Sequence, residues 1–221
     1  MLTTLERGIR TDSPIATRGE VAALVEIPPQ RISQWSTVRA GRAPLVHTVH
    51  GGTRFTVPLV GIAETASLEA LRAGGMSMQQ ARKAADFIRD TYGDEYAMAS
   101  KRLLTDGTDA FIEDEYGIAR LKDGQGAWRE VLREHLRPLI MGPDGFVEAF
   151  RVEQFTNSDV TIDPRFNAGR MSFTRNRVPV FTVAGALEAG EELGHVADDF
   201  GLTIEEANDV ARLSGWLASA T

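Results

Sequence analysis

Two helix-turn-helix patterns of opposite charge lie near the two ends of this 221-residue chain. In the first pattern, the capping box Thr17-Arg18-Gly19-Glu20 opens one helix, and Pro29 suits the first turn of the next. In the second pattern, Ala197, Gly201 and Ala207 have the spacing of a small residue, a turn glycine and a packing residue in two crossed helices. The fold of this chain therefore has to include one helix-turn-helix unit near each end.

Charge is unevenly distributed along the chain, whose net charge is −7. Residues 1–60 hold 7 Lys and Arg against 4 Asp and Glu, whereas residues 151–221 hold 6 against 11. A helix-turn-helix that reads DNA needs Lys or Arg around its second helix to neutralise phosphates. The second helix of the C-terminal pattern instead carries Glu205, Glu206 and Asp209. These charges favour DNA as the partner of the first unit and a protein as the partner of the second.

The order of the elements predicts an α+β, mainly helical fold with three domains. Residues 1–93 are predicted to form a winged helix-turn-helix DNA-binding domain. Residues 94–155 are predicted to form a small α+β connector. Residues 156–221 are predicted to form a three-helix, helix-turn-helix-like domain.

The first domain is predicted to carry a hairpin wing behind its two helices. Two alternating runs, 45–49 and 53–57, flank Gly51-Gly52, and glycine tolerates the positive φ of a tight hairpin turn. Residues 1–15 have no hydrophobic periodicity and are expected to form a loose arm. Helices are expected to follow the wing at 62–73 and after the capping box at Ser77.

Alternating apolar residues predict short strands in the connector and at the start of the C-terminal domain. Apolar residues at helical spacing predict the helices between and after these strands. The predicted strands are 110–112, 118–121, 146–155 and 160–163, the predicted helices are 126–137, 181–189, 191–200 and 203–219, and an Arg-rich loop is expected at 164–177.

The composition excludes several kinds of site. The chain has no Cys, which excludes a disulfide framework, a thiol nucleophile and a cysteine zinc site. No apolar run reaches the ~20 residues of a membrane span, and residues 1–14 lack the apolar segment of a signal peptide. We therefore expect a cytoplasmic protein.

No residue pattern indicates catalysis, and we expect neither a cofactor nor a metal ion. His47 and His50 are three residues apart, which on a strand places them on opposite faces. The carboxylates of residues 113–115 and of Asp198-Asp199 lack convergent His ligands and an apolar pocket, and are interpreted as solvated charge. The protein is therefore predicted not to be an enzyme.

Polar and basic residues of the first domain are the candidates for DNA contact. The arginines are expected to bind phosphates, while Arg31 and Gln34 are expected to reach base edges. The alternative is that these side chains form an ordinary solvated face. The candidates are Arg18, Gln30, Arg31, Ser33, Gln34, Arg39, Arg42 and Arg54.

The N-terminal order of elements resembles the winged helix of MerR-type regulators. The resemblance covers residues 15–90 and includes the helix-turn-helix, a wing ending at Arg54-Phe55, and the stretch 71–78 that opens the next helix. Trp35 stands where Tyr is common in that family. No long dimerising coiled coil follows, which argues against a metal-sensing or drug-sensing activator.

The C-terminal block, residues 160–213, resembles a domain of unknown function found on antitoxins that are paired with PIN-like ribonuclease toxins. The sequence departs from that pattern at Met171, where Pro is common, and at Asn176, where Gly often stands. The matching residues are Asp163-Pro164-Arg165, Gly169-Arg170, Arg177-Val178-Pro179, Ala189-Gly190-Glu191, and the turn from Ala197 through Phe200-Gly201-Leu202.

Together the two blocks resemble the two-domain VapB-type antitoxins of mycobacteria. This resemblance implies a protein that neutralises a PIN-like ribonuclease toxin and represses its own operon by binding double-stranded operator DNA. The alternative is a stand-alone dimeric transcriptional regulator whose C-terminal domain dimerises or binds a ligand.

Four arginines lie in the predicted loop at 164–177, namely Arg165, Arg170, Arg175 and Arg177. One interpretation is that they bind loop carbonyls and pair with Asp163, Glu191 or Glu192. The other is that Arg170 and Arg177 bind the toxin, because a PIN-like active site gathers carboxylates that a guanidinium can engage in place of a metal ion.

A homodimer is also expected, because one short recognition helix reads few base pairs and paired half-sites need a two-fold protein. The dimer contact is predicted to involve the C-terminal helices, whose apolar side chains exceed what so small a domain can bury alone. These side chains are Phe181, Leu187, Val196, Val210 and Trp216.

Overall fold

A computed structural model of the chain describes residues 4–38, 43–49, 54–93, 95–100 and 136–219. Several sequence-based predictions lie outside these residues. They concern Arg39, Arg42, His50, Gly51-Gly52, residues 113–115, the strands at 110–112 and 118–121, and the helix at 126–137 except for its last two residues.

The described residues form nine α-helices and one four-stranded antiparallel sheet of order β1-β2-β3-β4, which confirms the α+β, mainly helical class. The N-terminal helices are α1 (Thr4–Thr11), α2 (Arg18–Leu24), α3 (Pro29–Trp35), α4 (Leu59–Ala73) and α5 (Met78–Tyr92). The strands are β1 (Leu139–Met141), β2 (Val147–Arg151), β3 (Val160–Ile162) and β4 (Ser172–Phe173). The C-terminal helices are α6 (Val180–Glu188), α7 (Leu193–Asp199), α8 (Ile204–Arg212) and α9 (Ser214–Ser219).

Helix α4 is the central core helix, because it is buried on nearly all sides and packs against α1, α5 and β2. A Cβ atom on Gly61 would lie 2.4 Å from the backbone oxygen of His47, so only glycine allows this close approach. One turn later, the buried Glu64 carboxylate accepts a hydrogen bond from the His47 N–H at 2.6 Å. Burial raises the pKa of Glu64 to about 8.

Residues 4–11 of the N-terminal arm form helix α1, so the prediction of a loose arm is wrong. Helix α1 docks through Arg10, whose guanidinium is nearly buried and binds Asp144 at 2.6 Å in the β1–β2 turn. The N–H groups of Ile15 and Ala16 both donate to Val57 O. Hydrophobic periodicity did not predict this helix. Its docking includes the charged side chain of Arg10, which such a pattern does not detect.

The predicted wing strands, 45–49 and 53–57, are not β-strands where the structure describes them. A hydrogen bond from Val49 N–H to Thr56 O joins the two segments. Several of their backbone groups instead bind residues in or just before the helix-turn-helix unit. Leu45 and Val46 donate to Trp35 O, and the N–H of Val57 donates to Ala16 O.

The C-terminal domain follows the prediction more closely, with two differences. The segment 164–177 contains strand β4 and a short left-handed turn, rather than loop throughout. The predicted helix at 203–219 breaks at Leu213 into α8 and α9. The break brings the Trp216 ring edge-on to Phe155, with centroids 6.4 Å apart.

The two terminal domains share one hydrophobic core. Gly169, at φ +75°, lies so close to Ile15 that a Cβ atom would come within 2.6 Å of that side chain. Gln154 donates from its side-chain amide to Leu24 O at the end of α2. The candidate sites described below are therefore joined by one packed core.

Candidate DNA and protein interfaces

The first helix-turn-helix unit is formed by α2 and α3. The capping box at Thr17 and Glu20 is present, and Glu26 takes a positive φ of 57° in the turn between the helices. Ile32 and Trp35 are buried on the inner face of α3. Gln30 and Gln34 are exposed on its outer face, which is the position required of side chains that read DNA.

Two predicted DNA contacts, Arg18 and Ser33, are brought together across the unit. The Arg18 guanidinium donates to Ser33 Oγ at 3.4 Å, which ties the start of α2 to the middle of α3. The buried Nε of Arg18 has no hydrogen-bond partner among the described residues. Arg18 is half-buried, so only part of its guanidinium faces solvent.

Arg31, the predicted base reader on α3, is already paired. Its guanidinium contacts Glu69 of α4 at 3.1 Å, and both side chains are half-buried. The sequence offered no sign of this pair, since 38 residues separate its members. To contact a base edge, the Arg31 guanidinium must break its ion pair with Glu69, or the Glu69 side chain must move with it.

Arg54 is exposed in the segment that precedes α4, away from α2 and α3 in sequence. Next to it, the ring of Phe55 lies 5.5 Å from the guanidinium of Arg170. The described DNA candidates thus form two groups: Arg18, Gln30, Arg31, Ser33 and Gln34 on the helices, and Arg54 on the adjoining segment.

In the second helix-turn-helix unit, α7 and α8, two acidic side chains of α8 are buried. The Glu206 carboxylate completes the capping box at Thr203 and binds Arg175 at 2.6 Å. The hydrogen bond from Arg175 holds the pKa of Glu206 below its ordinary value. Glu206 is therefore mostly buried and paired within the domain.

Asp209 is fully buried and organises the loop before β3. Its carboxylate accepts hydrogen bonds from Asn157 N–H at 2.7 Å, Ser158 Oγ at 3.1 Å and Arg212 at 3.1 Å. Burial by itself would raise the pKa of Asp209, but these hydrogen bonds outweigh it and leave the pKa lowered. Of the three acidic residues predicted on this helix, only Glu205 is exposed.

The four loop arginines divide into two kinds. Arg165 binds Asp163 at 2.7 Å and also contacts Glu148, while Arg175 binds Glu206 and the backbone oxygen of Gly201. Asp163 was predicted as a partner. Glu191 and Glu192 were predicted as well, but they pair with none of the loop arginines in the part of the chain that the structure describes.

Arg170 and Arg177 form the second kind, because aromatic rings hold them. The Arg170 guanidinium lies 5.4 Å from the Phe181 ring centroid and bridges to Phe55, and the Arg177 guanidinium lies 3.9 Å over Phe166. Neither guanidinium has a carboxylate partner among the described residues. Sequence reasoning missed these rings, since nothing local relates Phe55 to a residue in the last third of the chain.

Backbone conformations of positive φ concentrate around the same two arginines. Asn167, Ala168 and Gly169 form a left-handed turn at φ of 49°, 53° and 75°, and Arg177 itself has φ of 61°. Non-glycine residues rarely adopt this region, and such strain clusters at functional sites. The loop therefore presents Arg170 and Arg177 from a fixed, strained backbone.

Two clefts adjoin these interfaces. A narrow one of about 60 Å³ opens beside Arg170, with walls formed by Ile15, Leu24, Ile162, Met171 and Phe181. A wider one of about 420 Å³ lies between the first helix-turn-helix turn, α4 and the sheet, and is lined by Val25, Glu69, Pro138, Phe150 and Gln154 among others. Within the described residues, no group of three or more His, Asp or Glu side chains is arranged to hold a metal ion, and no helix is long and apolar enough to cross a membrane.

The apolar side chains predicted to form a dimer contact are mostly used within the chain. Val196 and Val210 are fully buried, and Trp216 packs on Phe155. Phe181 remains 53% exposed, and Ile204, which was not predicted, is 50% exposed. The C-terminal domain buries more apolar surface than expected because the sheet and α2 cover it.

Comparison with known proteins agrees with this architecture. Residues 14–85 match the family model "Putative DNA-binding HTH domain", and residues 160–212 match the model "Protein of unknown function (DUF433)". Both matched ranges lie inside the predicted domains 1–93 and 156–221, whose boundaries remain predictions.

Two relatives match nearly the whole chain. The chain is 28% identical over 228 residues to "Putative antitoxin VapB45" of Mycobacterium tuberculosis (strain ATCC 25618 / H37Rv), covering 92% of this chain and 95% of the relative. It also resembles the crystal structure of Rv2018 from Mycobacterium tuberculosis, with a TM-score of 0.74 and 27% identity, covering 91% of this chain and 99% of the other. The predicted resemblance to VapB-type antitoxins with an N-terminal helix-turn-helix domain is therefore confirmed.

Proposed function

We propose that this protein is the antitoxin of a type II toxin–antitoxin module. It binds and neutralises a PIN-like ribonuclease toxin in the cytoplasm, and as a homodimer it represses its own operon by binding operator DNA. The relation to an antitoxin and the helix-turn-helix domain support the general assignment. The residues that carry each activity are argued below from their surroundings.

The DNA-binding role rests on the outer face of α3. Gln30 and Gln34 are exposed there, and side-chain amides can read adenine edges in the major groove. Arg18, Ser33 and Arg54 are assigned to phosphate contacts, which position the protein without reading sequence. Arg31 reads a base after release from Glu69. Arg39 and Arg42 are assigned to phosphates on their sequence position alone.

The toxin-binding role rests on one observation: Arg170 and Arg177 alone among the loop arginines lack a carboxylate partner in the described residues. A guanidinium stacked on a ring keeps its N–H edge available for a bidentate bond to a carboxylate. A PIN-like active site supplies such carboxylates. Phe181 and the narrow cleft beside Arg170 add an apolar surface next to the charge.

The experiment compares three arginines of the same loop. The product of the neighbouring PIN-like reading frame is co-expressed with the full chain, and its affinity is measured for Arg170→Ala, Arg177→Ala and Arg165→Ala. Loss of a buried, paired arginine costs ~2–5 kcal/mol of binding free energy, so the first two variants should bind far more weakly. Arg165→Ala is the matched control, since its partners are internal, and it should keep the affinity. Equal affinity in all four proteins would place the inhibitory contact elsewhere.

The wider cleft is the observation that supports the alternative function, a stand-alone dimeric regulator that binds a ligand. That cleft is about 420 Å³ and includes Glu69, the partner of Arg31, so a bound small molecule could alter the α3 surface. The gene neighbourhood distinguishes the two functions. A short PIN-like frame next to this gene, whose product co-purifies with the chain, supports the antitoxin, and its absence supports the regulator.

A further inference from the structure

The side-chain amide of Asn167 connects the two arginines assigned to the toxin. Its Nδ2 donates one hydrogen bond to the backbone oxygen of Arg177 at 2.7 Å and another to Ser172 Oγ at 2.8 Å. The Ser172 hydroxyl in turn donates to the backbone oxygen of Arg170 at 2.9 Å. The Asn167 amide therefore holds the backbone of both arginines. It holds Arg177 directly, and it holds Arg170 through the Ser172 hydroxyl.

The backbone of Asn167 shows why this residue type is needed. Asn167 has φ of 49°, and the next two residues continue the left-handed turn. Asn is one of the few residues that tolerate this region, although glycine adopts it more readily. Conformation alone would be satisfied by glycine. The amide adds a specific function, which is the pair of hydrogen bonds to Ser172 and Arg177.

Backbone anchoring and ring stacking act on different parts of the same two side chains. Asn167 and Ser172 fix the backbone from which Arg170 and Arg177 emerge. Phe166 and Phe181 then hold the faces of the two guanidinium groups. A binding group fixed at both ends loses less freedom when it binds, so its affinity is higher.

We propose that Asn167 is a positioning residue that makes Arg170 and Arg177 a single two-point recognition unit for carboxylates of a partner protein. This inference rests on the proposed function. Asn167 itself does not contact the partner. It acts through the two arginines, so its effect depends on their presence.

The test uses the full chain and the purified neighbouring toxin. Asn167→Gly keeps the left-handed backbone accessible and removes the amide, whereas Ser172→Ala cuts only the connection to Arg170. Coupled positions typically change an equilibrium by about 2- to 150-fold, and we expect Asn167→Gly to weaken toxin binding by ~10-fold. In the Arg170→Ala/Arg177→Ala background, Asn167→Gly should cause no further loss. A role limited to folding would instead give the same loss in both backgrounds.

Ser172→Ala gives an independent measurement should Asn167→Gly fail to fold. Its loss of affinity should disappear in Arg170→Ala and persist in Arg177→Ala. The inference is overturned if Asn167→Gly and Ser172→Ala leave affinity unchanged while the arginine variants weaken binding, or if losses add in every background. If both arginine variants bind the toxin normally, the proposed contact itself is wrong, which is a distinguishable result.

Discussion

The two helix-turn-helix units differ in the direction of their charged side chains as well as in sign. In the N-terminal unit, α3 directs Gln30 and Gln34 to solvent and keeps Arg31 at the surface beside Glu69. In the C-terminal unit, α8 directs Glu206 and Asp209 inward, where they hold neighbouring loops. The polar side chains of α3 are thus at the surface, whereas two of the three carboxylates of α8 form hydrogen bonds inside the domain.

This difference shows that the charge of a helix, counted from its sequence, is not the charge that the helix exposes at the protein surface. The acidic sequence of α8 predicted a negative surface for a protein partner, yet two of its three carboxylates are satisfied within the domain. Arg175 of the neighbouring loop is bound to Glu206, whereas Arg170 and Arg177, the proposed toxin contacts, have no carboxylate partner among the described residues. The acidic helix therefore supports a basic site on the adjoining loop.

The largest effect is expected from Asp209→Ala. The substitution removes the acceptor of the Asn157 N–H and of the Ser158 hydroxyl, and the lost buried network should lower the free energy of unfolding by ~2–4 kcal/mol. Glu205→Ala, on the exposed side of the same helix, is the matched control and should stay within ~0.5 kcal/mol. Thermal and urea unfolding measure both. Equal stability of the two variants would contradict the conclusion that the buried carboxylate of Asp209 stabilises the fold more than the exposed carboxylate of Glu205.

The second effect is a change of stability with pH, which has opposite signs for Glu64 of α4 and for the carboxylates of α8. Folding raises the pKa of Glu64 to about 8, so the folded state keeps a proton that the unfolded state releases above its pKa near 4.5. The core around α4 should therefore lose stability as pH rises towards 8, by at most ~1.4 kcal/mol per pH unit. Glu206 and Asp209 have lowered pKa values, so their contribution is present above pH ~4.5 and is lost on further acidification.

Glu64→Gln isolates the Glu64 contribution, because the amide oxygen can still accept from His47. The variant should flatten the fall in stability between pH 6 and 7.5, measured by urea unfolding at a series of pH values. A wild-type slope that persists in the variant would assign the pH dependence to other groups.

DNA affinity should change by less, and mainly through α3. Arg31→Ala should weaken binding to the operon's own upstream DNA by ~1–3 kcal/mol, with less effect on unrelated DNA. Arg54→Ala should weaken binding evenly across sequences and reduce its salt dependence. Fluorescence anisotropy at several salt concentrations tests both. A uniform effect of Arg31→Ala would reassign this residue to a phosphate contact.

The smallest effect is expected from Glu69→Gln, which frees Arg31 and removes a negative charge near the DNA. Exposed ion pairs contribute ~0.2–1 kcal/mol, so DNA affinity should increase no more than a few fold. Glu205→Gln removes a charge from the C-terminal unit and should leave DNA affinity unchanged. A decrease in affinity for Glu69→Gln would mean that the pair positions Arg31 for binding instead of restraining it.

Sequence reasoning succeeded where the rule is local. The capping boxes at Thr17, Ser77 and Thr203 all form, because each depends on residues three apart. The order of helices and the α+β class follow from hydrophobic periodicity for the same reason. The site residues Arg170 and Arg177 were selected from their motif and remain proposals, although their surroundings support them.

It failed where the stabilising partner is distant along the chain. The docking of α1 depends on Arg10 and Asp144, which are 134 residues apart. The wing strands were predicted from glycine and alternation, but Trp35 and Ala16 provide competing partners for the same backbone groups. A single sequence contains no local signal for either choice.

The contact between Gly169 and Ile15 has a consequence for the timing of synthesis. Roughly 150 residues separate the two, so a ribosome adding ~5–20 residues per second needs about 8 to 30 s to supply the second partner after the first. Throughout that interval the apolar side chain of Ile15 has no Gly169 to cover it. The side of Ile15 that packs on Gly169 therefore stays uncovered until the loop at 164–177 has been translated.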